Sequence, residues 1–387
     1  MNPGIIIGII GSGAMGSGIA QVAAVAGHQV IIYDNNLAAL EKAKKGLAAN
    51  LQKLAEKGKL TNATDVMQRF SFAVQLNELA GCGLVIEAIV ENLDVKKAVF
   101  SELEKYVATT AVLATNTSSL SVTSIAAACN KPERVMGLHF FNPAPLMALV
   151  EVIPAIQTEA ELIPSAKALM TTWGKIPVEA KDTPGFIVNR LARPFYGEAI
   201  RMLEEGIADM ATIDWAMTEI GGFKMGPFTL MDFIGHDVNY VVTETVYKSF
   251  FFDKKYTPSF AQKRLLEAGW LGKKTAKGFY NYADGAVMPV PDKNTTLGAE
   301  IVERIVCMLI NEAVDALYMK VATANDLEVA MTKGVNYPKG LLHWCDEWGV
   351  TNCLAKMDNL YTTYHEERYR ASRLMRVYAV DNKKFFD

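Results

Sequence analysis

The sequence predicts an α/β domain built on a parallel sheet, followed by two related all-α domains. Up to about residue 183, short β-branched runs alternate with helical patterns, which is typical of a parallel sheet covered by helices on both faces. After Thr183-Pro184-Gly185 the apolar residues recur at three- and four-residue spacing, which predicts helices. Within that helical part, residues recur at a fixed offset of 114 positions, which indicates a duplication.

The composition narrows the class of protein. Half of the 387 residues are hydrophobic and 21% are charged, which is typical of an ordered globular chain. A net charge of −3 argues against nucleic-acid binding, and five cysteines without a Cys-x-x-Cys pair indicate free thiols in a reducing compartment. The apolar stretch from Gly4 to Gly27 lacks the basic start of a signal peptide and holds many glycines for a membrane helix. We therefore expect a cytoplasmic protein that does not bind membranes.

The α/β domain, expected over residues 1–183, begins with a strand, a turn and a helix. Ile5 to Ile10 is a buried β-branched run, and Ser17 to Ala26 is a small-residue helix that Gly27 can end. Gln29 to Tyr33 is a second apolar strand, which ends at Asp34. Further strands are predicted at Phe70–Ala73, Leu84–Ala88, Ala111–Thr115 and Val135–Phe140.

The helical part divides into a first copy at 184–282, a linker at 283–297 and a second copy at 298–387. The linker follows from the two prolines and the lack of periodicity between Asp284 and Thr296. The offset of 114 places Glu198-Ala199-Ile200 on Glu312-Ala313-Val314, Ala216-Met217-Thr218 on Ala330-Met331-Thr332, Arg190 on Arg304, Gly226 on Gly340, Asp232 on Asp346 and Gly235 on Gly349.

The turn after the first strand has the pattern of a dinucleotide site. Gly11 allows the tight turn, Gly13 lets the backbone approach a pyrophosphate, and Gly16 allows close helix–strand packing. The first backbone N–H groups of the helix, at Ala14 and Met15, offer a positive dipole end to phosphates. Together these features predict a Rossmann-type domain, the alternative being a glycine-rich turn that binds no nucleotide.

The residue that ends the second strand indicates which dinucleotide would bind. Asp34 stands 18 residues after Gly16, where a carboxylate can accept bonds from ribose hydroxyls and repel a 2′-phosphate. No arginine is adjacent to bind such a phosphate, so NAD is favoured over NADP.

A dehydrogenase needs a base for the hydroxyl proton, and histidine suits this role at neutral pH. Of the five histidines, His139 stands at the end of a predicted strand, where ligands bind in such sheets. A single histidine is more often structural, so its sequence context decides the interpretation.

Four segments in order supply that context. They are Asn116-Thr117-Ser118-Ser119-Leu120, His139-Phe140-Phe141-Asn142-Pro143, Leu149-Val150-Glu151-Val152 and Asp182-Thr183-Pro184-Gly185-Phe186-Ile187-Val188-Asn189-Arg190. Together they closely resemble the L-3-hydroxyacyl-CoA dehydrogenase family, which includes 3-hydroxybutyryl-CoA dehydrogenases. The resemblance covers roughly residues 4–282, and the repeat to 387 matches longer members with a second C-terminal domain.

The resemblance implies catalytic roles for four residues. His139 would be the general base, and Glu151 would orient its ring and stabilise the charged form. Ser118 would contact the substrate's 3-oxygen or the histidine, and Asn189 would hold the carbonyl region of an acyl-CoA thioester. From the residues alone, Ser118 could instead cap a helix near Ser121, Glu151 could be a surface acid, and Asn189 could bond locally.

The resemblance also implies three cofactor contacts. Glu91 and Lys96 would lie near the nicotinamide side and the phosphates of the cofactor or CoA. Asn116 would lie beside the nicotinamide ribose. The acyl chain length stays open between short substrates such as 3-hydroxybutyryl-CoA and the dicarboxylic 3-hydroxyadipyl-CoA, in fatty-acid or aromatic-compound catabolism.

Two alternative functions remain open, a gulonate-type dehydrogenase and a non-enzymatic NAD-binding protein, and a 6-phosphogluconate-type enzyme is disfavoured. A gulonate-type dehydrogenase shares much of the histidine motif, whereas a 6-phosphogluconate-type enzyme uses a lysine in place of the histidine–glutamate pair. A non-enzymatic NAD-binding protein would have no need of Ser118, His139, Glu151 and Asn189 together.

The second helical copy is expected to be non-catalytic. Glu303 falls on the position of Asn189, and no dinucleotide domain accompanies this copy. It would occupy the surface that a partner's helical domain covers in shorter relatives, which leaves a homodimer or a monomer as the expected assembly.

Overall fold

The computed structural model describes residues 4–386, and the chain divides into two compact units, Met1–Phe186 and Ile187–Asp387. The predicted α/β part and the predicted helical part are both confirmed. The boundaries of the two helical domains stay a prediction, since both copies lie in one compact unit. Between residues 4 and 386, no helix is long and apolar enough to cross a membrane.

The first unit is an eight-stranded sheet with strand order β3-β2-β1-β4-β5-β6-β7-β8. Its strands are β1 (Ile7–Ile10), β2 (Val30–Tyr33), β3 (Phe70–Ala73), β4 (Leu84–Glu87), β5 (Val112–Thr115), β6 (Val135–Phe140), β7 (Leu149–Pro154) and β8 (Ile176–Glu179). Its helices are α1 (Ala14–Val25), α2 (Leu37–Glu56), α3 (Ala63–Met67), α4 (Leu93–Leu103), α5 (Val122–Ala126) and α6 (Leu162–Thr172).

One edge of the sheet was not predicted. Strands β1 to β6 pair in parallel with one another, as expected, but β7 runs antiparallel to β6. The connection between them, residues 141–148, is too short for the crossover that two parallel strands require. Strand β8 then pairs in parallel with β7. The predicted parallel sheet is therefore confirmed for β1 to β6, and the antiparallel pairing adds two strands that were not predicted.

The described part of the second unit consists of helices and their connecting segments, the longest of which, residues 276–294, contains no helix. A π-helical turn, Ala216–Ile220, continues α9. The helices are α7 (Val188–Leu191), α8 (Arg193–Glu204), α9 (Met210–Trp215), α10 (Pro227–Ile234), α11 (His236–Ser249), α12 (Phe260–Glu267), α13 (Thr295–Tyr318), α14 (Ala324–Gly334), α15 (Leu341–Trp348), α16 (Val350–Tyr364) and α17 (Arg373–Asp381).

Equivalent acids cap equivalent helices in the two copies. The Asp214 carboxylate accepts the backbone N–H groups of Phe228 and Thr229, each at 2.9 Å, at the start of α10. The Glu328 carboxylate accepts those of Leu342 and His343, at 2.8 and 3.2 Å, at the start of α15. Each pair is separated by the offset of 114 found in the sequence. The repeated residues therefore satisfy the same unpaired donors at helix N-termini.

Candidate active site

The glycine loop between β1 and α1 has the geometry that the motif predicts. Gly11 has φ +100°, and a Cβ there would lie 2.7 Å from the Ala88 carbonyl oxygen. A Cβ on Gly16 would lie 1.9 Å from the Gly11 carbonyl oxygen, so α1 packs close to the strand only because this residue is glycine. A Cβ on Gly13 would meet no atom within 4 Å. A ligand can therefore approach the protein backbone closely at Gly13.

The start of α1 and the end of β2 complete this site. Gly13 is the N-cap of α1, and within the described residues no side chain caps the helix, so the Ala14 and Met15 N–H groups suit a phosphate. The Asp34 carboxylate accepts the N–H and hydroxyl of Ser12, at 2.9 and 2.6 Å, and the N–H of Asn36 at 3.0 Å. Partial burial raises the pKa of Asp34, but these hydrogen bonds outweigh it and leave the pKa lowered. An ionised acceptor beside an open glycine loop fits the ribose and pyrophosphate of NAD.

His139 and Glu151 form a buried pair at the antiparallel edge of the sheet. The two residues lie directly opposite each other on β6 and β7, which places their side chains on the same face. The His139 Nδ1 atom lies 2.6 Å from Glu151 Oε2. Glu151 is fully buried and His139 is 6% exposed, so the alternative of a surface acid is wrong. The strand reversal that the sequence did not predict is what brings these residues together.

Asn116 is tied to the strand that carries His139. Its side-chain oxygen accepts the backbone N–H of Phe140 at 2.8 Å. The aromatic ring of Phe141 lies 4.4 Å from the imidazole, centroid to centroid. This part of the site is therefore held by the backbone of β6 itself.

Glu91 fixes the segment that contains Ser118. One carboxylate oxygen, Oε1, accepts the Thr117 hydroxyl at 2.7 Å, the Ser118 N–H at 2.9 Å and the Ser118 hydroxyl at 3.2 Å. Burial raises the pKa of Glu91, but the charge of Lys96 and these hydrogen bonds outweigh it, so the pKa is lowered. Ser118 does not cap the helix that follows, because Ser121 is the N-cap of α5 and accepts the Ser124 N–H at 3.1 Å.

Lys96 is buried beside Glu87 and Glu91. Its side chain is 1% exposed, and its ammonium lies 2.6 Å from Glu87 Oε1 and 3.3 Å from Glu91 Oε2. Glu87 also accepts the Thr115 hydroxyl at 2.7 Å. In this structure the lysine charge is therefore neutralised by two carboxylates, and its phosphate contact stays a prediction.

Sequence reasoning missed Glu87, the acid that holds Lys96. The signal was present, because Glu87 ends the buried strand β4 as Asp34 follows the end of β2. A fully buried acid at a strand end requires a partner.

Asn189 lies in the second unit, in the one-turn helix α7. Gly185 and Phe186, just before this unit, have positive φ angles of 75° and 48°. The carbonyl oxygen of Asn189 accepts the Nε–H of Arg193 at 2.8 Å. The backbone at Asn189 is thus fixed by the helix that follows it.

A groove in the first unit extends from the glycine loop along α2. Its volume is about 1090 Å³, and Ser12 and Gly13 lie at one end. The sequence did not indicate this groove. Its basic lining residues are Lys42, Lys53, Lys57, Lys59 and Lys175. Across the part of the chain that the structure describes, no group of three or more His, Cys, Asp or Glu side chains is arranged to hold a metal ion.

Comparison with known proteins matches both units. The family model for the NAD binding domain of 3-hydroxyacyl-CoA dehydrogenase matches residues 6–183. The model for the C-terminal domain of the same family matches twice, at residues 185–282 and 301–384. The double match agrees with the duplication found in the sequence.

Individual relatives agree with the family models. The 3-hydroxyadipyl-CoA dehydrogenase of Escherichia coli K12 is 38% identical, over 97% of each chain. A crystal structure of 3-hydroxybutyryl-CoA dehydrogenase from Escherichia coli K12 superposes with a TM-score of 0.93 at 37% identity, over 99% of each chain. The (S)-3-hydroxybutyryl-CoA dehydrogenase of Ralstonia eutropha gives a TM-score of 0.70 at 38% identity, over 72% of this chain and 99% of that one. With similarity at this level over nearly its whole length, the chain belongs to the 3-hydroxyacyl-CoA dehydrogenase family of NAD-dependent oxidoreductases.

Proposed function

We propose that this enzyme interconverts an L-3-hydroxyacyl-CoA and the corresponding 3-oxoacyl-CoA, with His139 as the general base. The observation that carries the proposal is the 2.6 Å contact between His139 Nδ1 and the buried Glu151 carboxylate. Since the carboxylate accepts the proton on Nδ1, the other ring nitrogen, Nε2, keeps its lone pair for the substrate hydroxyl. When Nε2 takes that proton, the charge of Glu151 stabilises the imidazolium.

The remaining site residues would orient the substrate and the cofactor. NAD, when bound, supplies the acceptor for the hydride that leaves C3. Asp34 would accept the adenosine ribose hydroxyls, and Asn116 would lie beside the nicotinamide ribose. Ser118, fixed by Glu91, would donate to the 3-oxygen, and Asn189 would hold the thioester carbonyl. Ser118 and Asn189 would thereby place donors where the reaction changes charge, whereas Asp34 and Asn116 would bind and orient the cofactor.

The lysine-lined groove supports a CoA thioester as the substrate. Lys42, Lys53, Lys57 and Lys59 line one cavity with the glycine loop, and the phosphates of CoA need cations of this kind. The full-length relative from Escherichia coli K12 is a 3-hydroxyadipyl-CoA dehydrogenase, and a shorter relative is a 3-hydroxybutyryl-CoA dehydrogenase. Both acyl classes are therefore candidate substrates.

The second helical copy is proposed to be non-catalytic and to stand in for a partner subunit's helical domain. The relative from Ralstonia eutropha matches only 72% of this chain, and Glu303 replaces the substrate-holding asparagine. The assembly would then be a monomer or a homodimer. The five cysteines are all free, which supports a cytoplasmic location.

The first test is loss of NADH absorbance with acetoacetyl-CoA, with NADPH as the control. We expect rapid oxidation of NADH and little of NADPH, because Asp34 repels a 2′-phosphate. His139→Gln should lower kcat by about a hundredfold to ten-thousandfold and leave NADH affinity within about twofold, since the base acts only in the chemical step.

A series with 3-oxoadipyl-CoA then separates the two acyl classes. A higher kcat/KM for the dicarboxylic substrate would assign the enzyme to that class. An active His139→Gln variant would contradict the base assignment. Absence of turnover with every acyl-CoA would favour the gulonate-type alternative.

A further inference from the structure

Two buried arginine–glutamate contacts join the helical copies, each between an arginine of one copy and a glutamate of the other. Arg190 of the first copy donates through Nε to Glu312 of the second copy at 2.5 Å. Arg304 of the second copy donates through Nε to Glu198 of the first copy at 2.6 Å. The residues of the two contacts are related by the repeat offset of 114. The contacts are therefore equivalent, as at an interface with two-fold symmetry.

A tyrosine completes each contact in the same way. The hydroxyl of Tyr256 donates to Glu312 at 2.6 Å, and the hydroxyl of Tyr369 donates to Glu198 at 2.6 Å. Both glutamates are at most 2% exposed. A buried carboxylate with this many donors holds its partners tightly, because removal of the carboxylate charge leaves a buried cation without compensation.

The two contacts differ in what lies next to the arginine. Arg190 follows Asn189, whereas Arg304 follows Glu303, whose side chain is 48% exposed and pairs with Lys356. Only the first contact thus lies beside a residue assigned to the substrate.

The two contacts also differ in the helix that carries the arginine. Asn189 and Arg190 lie in α7, which has only four residues and ends before Pro194 near the start of α8. A single turn has little stability of its own, and proline lacks the N–H that would continue the helix. In the second copy the equivalent of Pro194 is Met308, and α13 runs unbroken for 24 residues.

Arg190 is a buried side chain that links this single turn to α13. Besides Glu312, its guanidinium contacts Asp315 at 3.1 Å, and the arginine side chain is 1% exposed. Lys255 lies 3.0 Å from both Glu312 and Asp315 and balances the second negative charge. A buried contact therefore links α7 to a carboxylate cluster in the second copy.

We propose that Glu312 is a positioning residue for the reaction: it holds Arg190 and thereby sets the orientation of the single turn that carries Asn189. The inference rests on the proposed role of Asn189 toward the substrate. It gives the second copy a part in catalysis without a site of its own.

The repeat provides a matched control for the test. Glu312→Gln and Glu198→Gln remove the same charge from equivalent buried contacts, and we expect similar decreases in melting temperature. Glu312→Gln should lower kcat for acetoacetyl-CoA by about tenfold to a hundredfold, the loss expected when a reacting group shifts by about 1 Å. Glu198→Gln should keep kcat within about twofold, because Arg304 lies in a continuous helix. NADH affinity should not change in either variant.

Two further variants keep the proposal falsifiable. Tyr256→Phe and Tyr369→Phe remove one hydroxyl from each contact, and the same asymmetry in kcat is expected if a glutamine variant fails to fold. In an Asn189→Ala background, Glu312→Gln should cause no further loss of kcat, since both changes act on one step.

The outcomes separate the two hypotheses. Equal kcat losses in the two glutamine variants, or additive losses with Asn189→Ala, would overturn the positioning role. Full activity of Asn189→Ala alone would overturn the proposed substrate contact, and the positioning role with it.

Discussion

The two helical copies keep several equivalent structural contacts but differ at Asn189, the position proposed to hold the substrate, and at its polar neighbours. Asp232 accepts the backbone N–H groups of Phe279 and Tyr280, each at 2.9 Å. Its equivalent Asp346 accepts those of Phe385 and Phe386, at distances of 2.9 Å. Phe385 lies eight residues before the position that the offset of 114 gives for Phe279. The reason is that the chain from α17 to Phe385 is shorter than the chain from α12 to Phe279. The contact persists although the loop before it has changed.

Asn189 itself and the arginine that its carbonyl oxygen accepts from have not been kept, although Arg190 has. In the first copy, Arg193 donates to the Asn189 carbonyl and to the hydroxyl of Thr243, at 2.8 and 2.9 Å. In the second copy the offset places Cys307 on Arg193 and Cys353 on Asn239, and both cysteines are buried. A polar framework near Asn189 is thus replaced by small, weakly polar side chains.

The difference shows which part of the repeat is scaffold and which part is site. Acids that satisfy buried backbone N–H groups are retained, since loss of one would leave unpaired donors in both copies. The broken helix α7–α8 and its polar neighbours occur only beside Asn189. Departures from regular structure are expected where function requires them.

Within the comparison of the two copies, the largest effect is expected at Asn189, whose equivalent in the second copy is Glu303. Asn189→Ala should lower kcat for acetoacetyl-CoA by about a hundredfold, because it removes the proposed donor to the reacting carbonyl region. Glu303→Ala, at the equivalent position, should leave kcat unchanged. Steady-state kinetics of both variants tests the comparison directly.

A large loss of activity in Glu303→Ala would show that the second copy takes part in substrate binding. Melting temperatures serve as the control, since a decrease common to both variants would indicate a folding defect.

The sequence was a good guide where a local pattern controls the structure. Strands β1 to β6 were predicted because each is a short apolar run, and the glycine loop was predicted because each glycine has a separate steric reason. Strands β7 and β8 were not predicted. A central glutamate interrupts the apolar pattern of β7, and β8 contains Pro177 and is largely exposed.

Pairings that are distant in sequence could not be predicted from the residues alone. His139 and Glu151 were connected only through the family resemblance, because nothing local shows that β7 reverses direction. For Lys96, the sequence could not show that the side chain is buried between Glu87 and Glu91. The contacts of Arg190 with Glu312 and of Arg304 with Glu198 likewise could not be predicted, because they join residues more than 100 positions apart in the sequence.

An intermediate effect is expected from the pH dependence of the Arg190–Glu312 contact. Burial alone would raise the pKa of Glu312, but the charges of Lys255 and Arg190 outweigh it and lower the pKa from 4.5 to about 2. A carboxyl group whose pKa is lower in the folded state stabilises that state fully when the pH is above the pKa of the unfolded state. This contribution is lost as the pH falls toward the pKa of the folded state. The free energy of unfolding should thus differ less between the parent and Glu312→Gln at pH 3.5 than at pH 6, by about 1.4 kcal/mol.

Urea unfolding at the two pH values measures this difference. Because glutamine does not titrate, the change in the difference between the two proteins reports the titration of Glu312 together with its effect on the charged groups in contact with it. A gap that stays constant or widens on acidification would show that the carboxylate is not stabilised by its cationic neighbours.

The smallest effect is expected from the ion pair that occupies the position of Asn189 in the second copy. Glu303 pairs with Lys356, and their side chains are 48% and 23% exposed. A solvated pair of this kind contributes about 0.2 to 1 kcal/mol, and salt screens it. A double-mutant cycle with Glu303→Ala and Lys356→Ala, measured by urea unfolding at low and high salt, should give a coupling free energy in that range that decreases with salt. A salt-independent coupling above about 2 kcal/mol would mean that Glu303 is held as firmly as the buried Glu312, and the division between scaffold and site would then fail at this position.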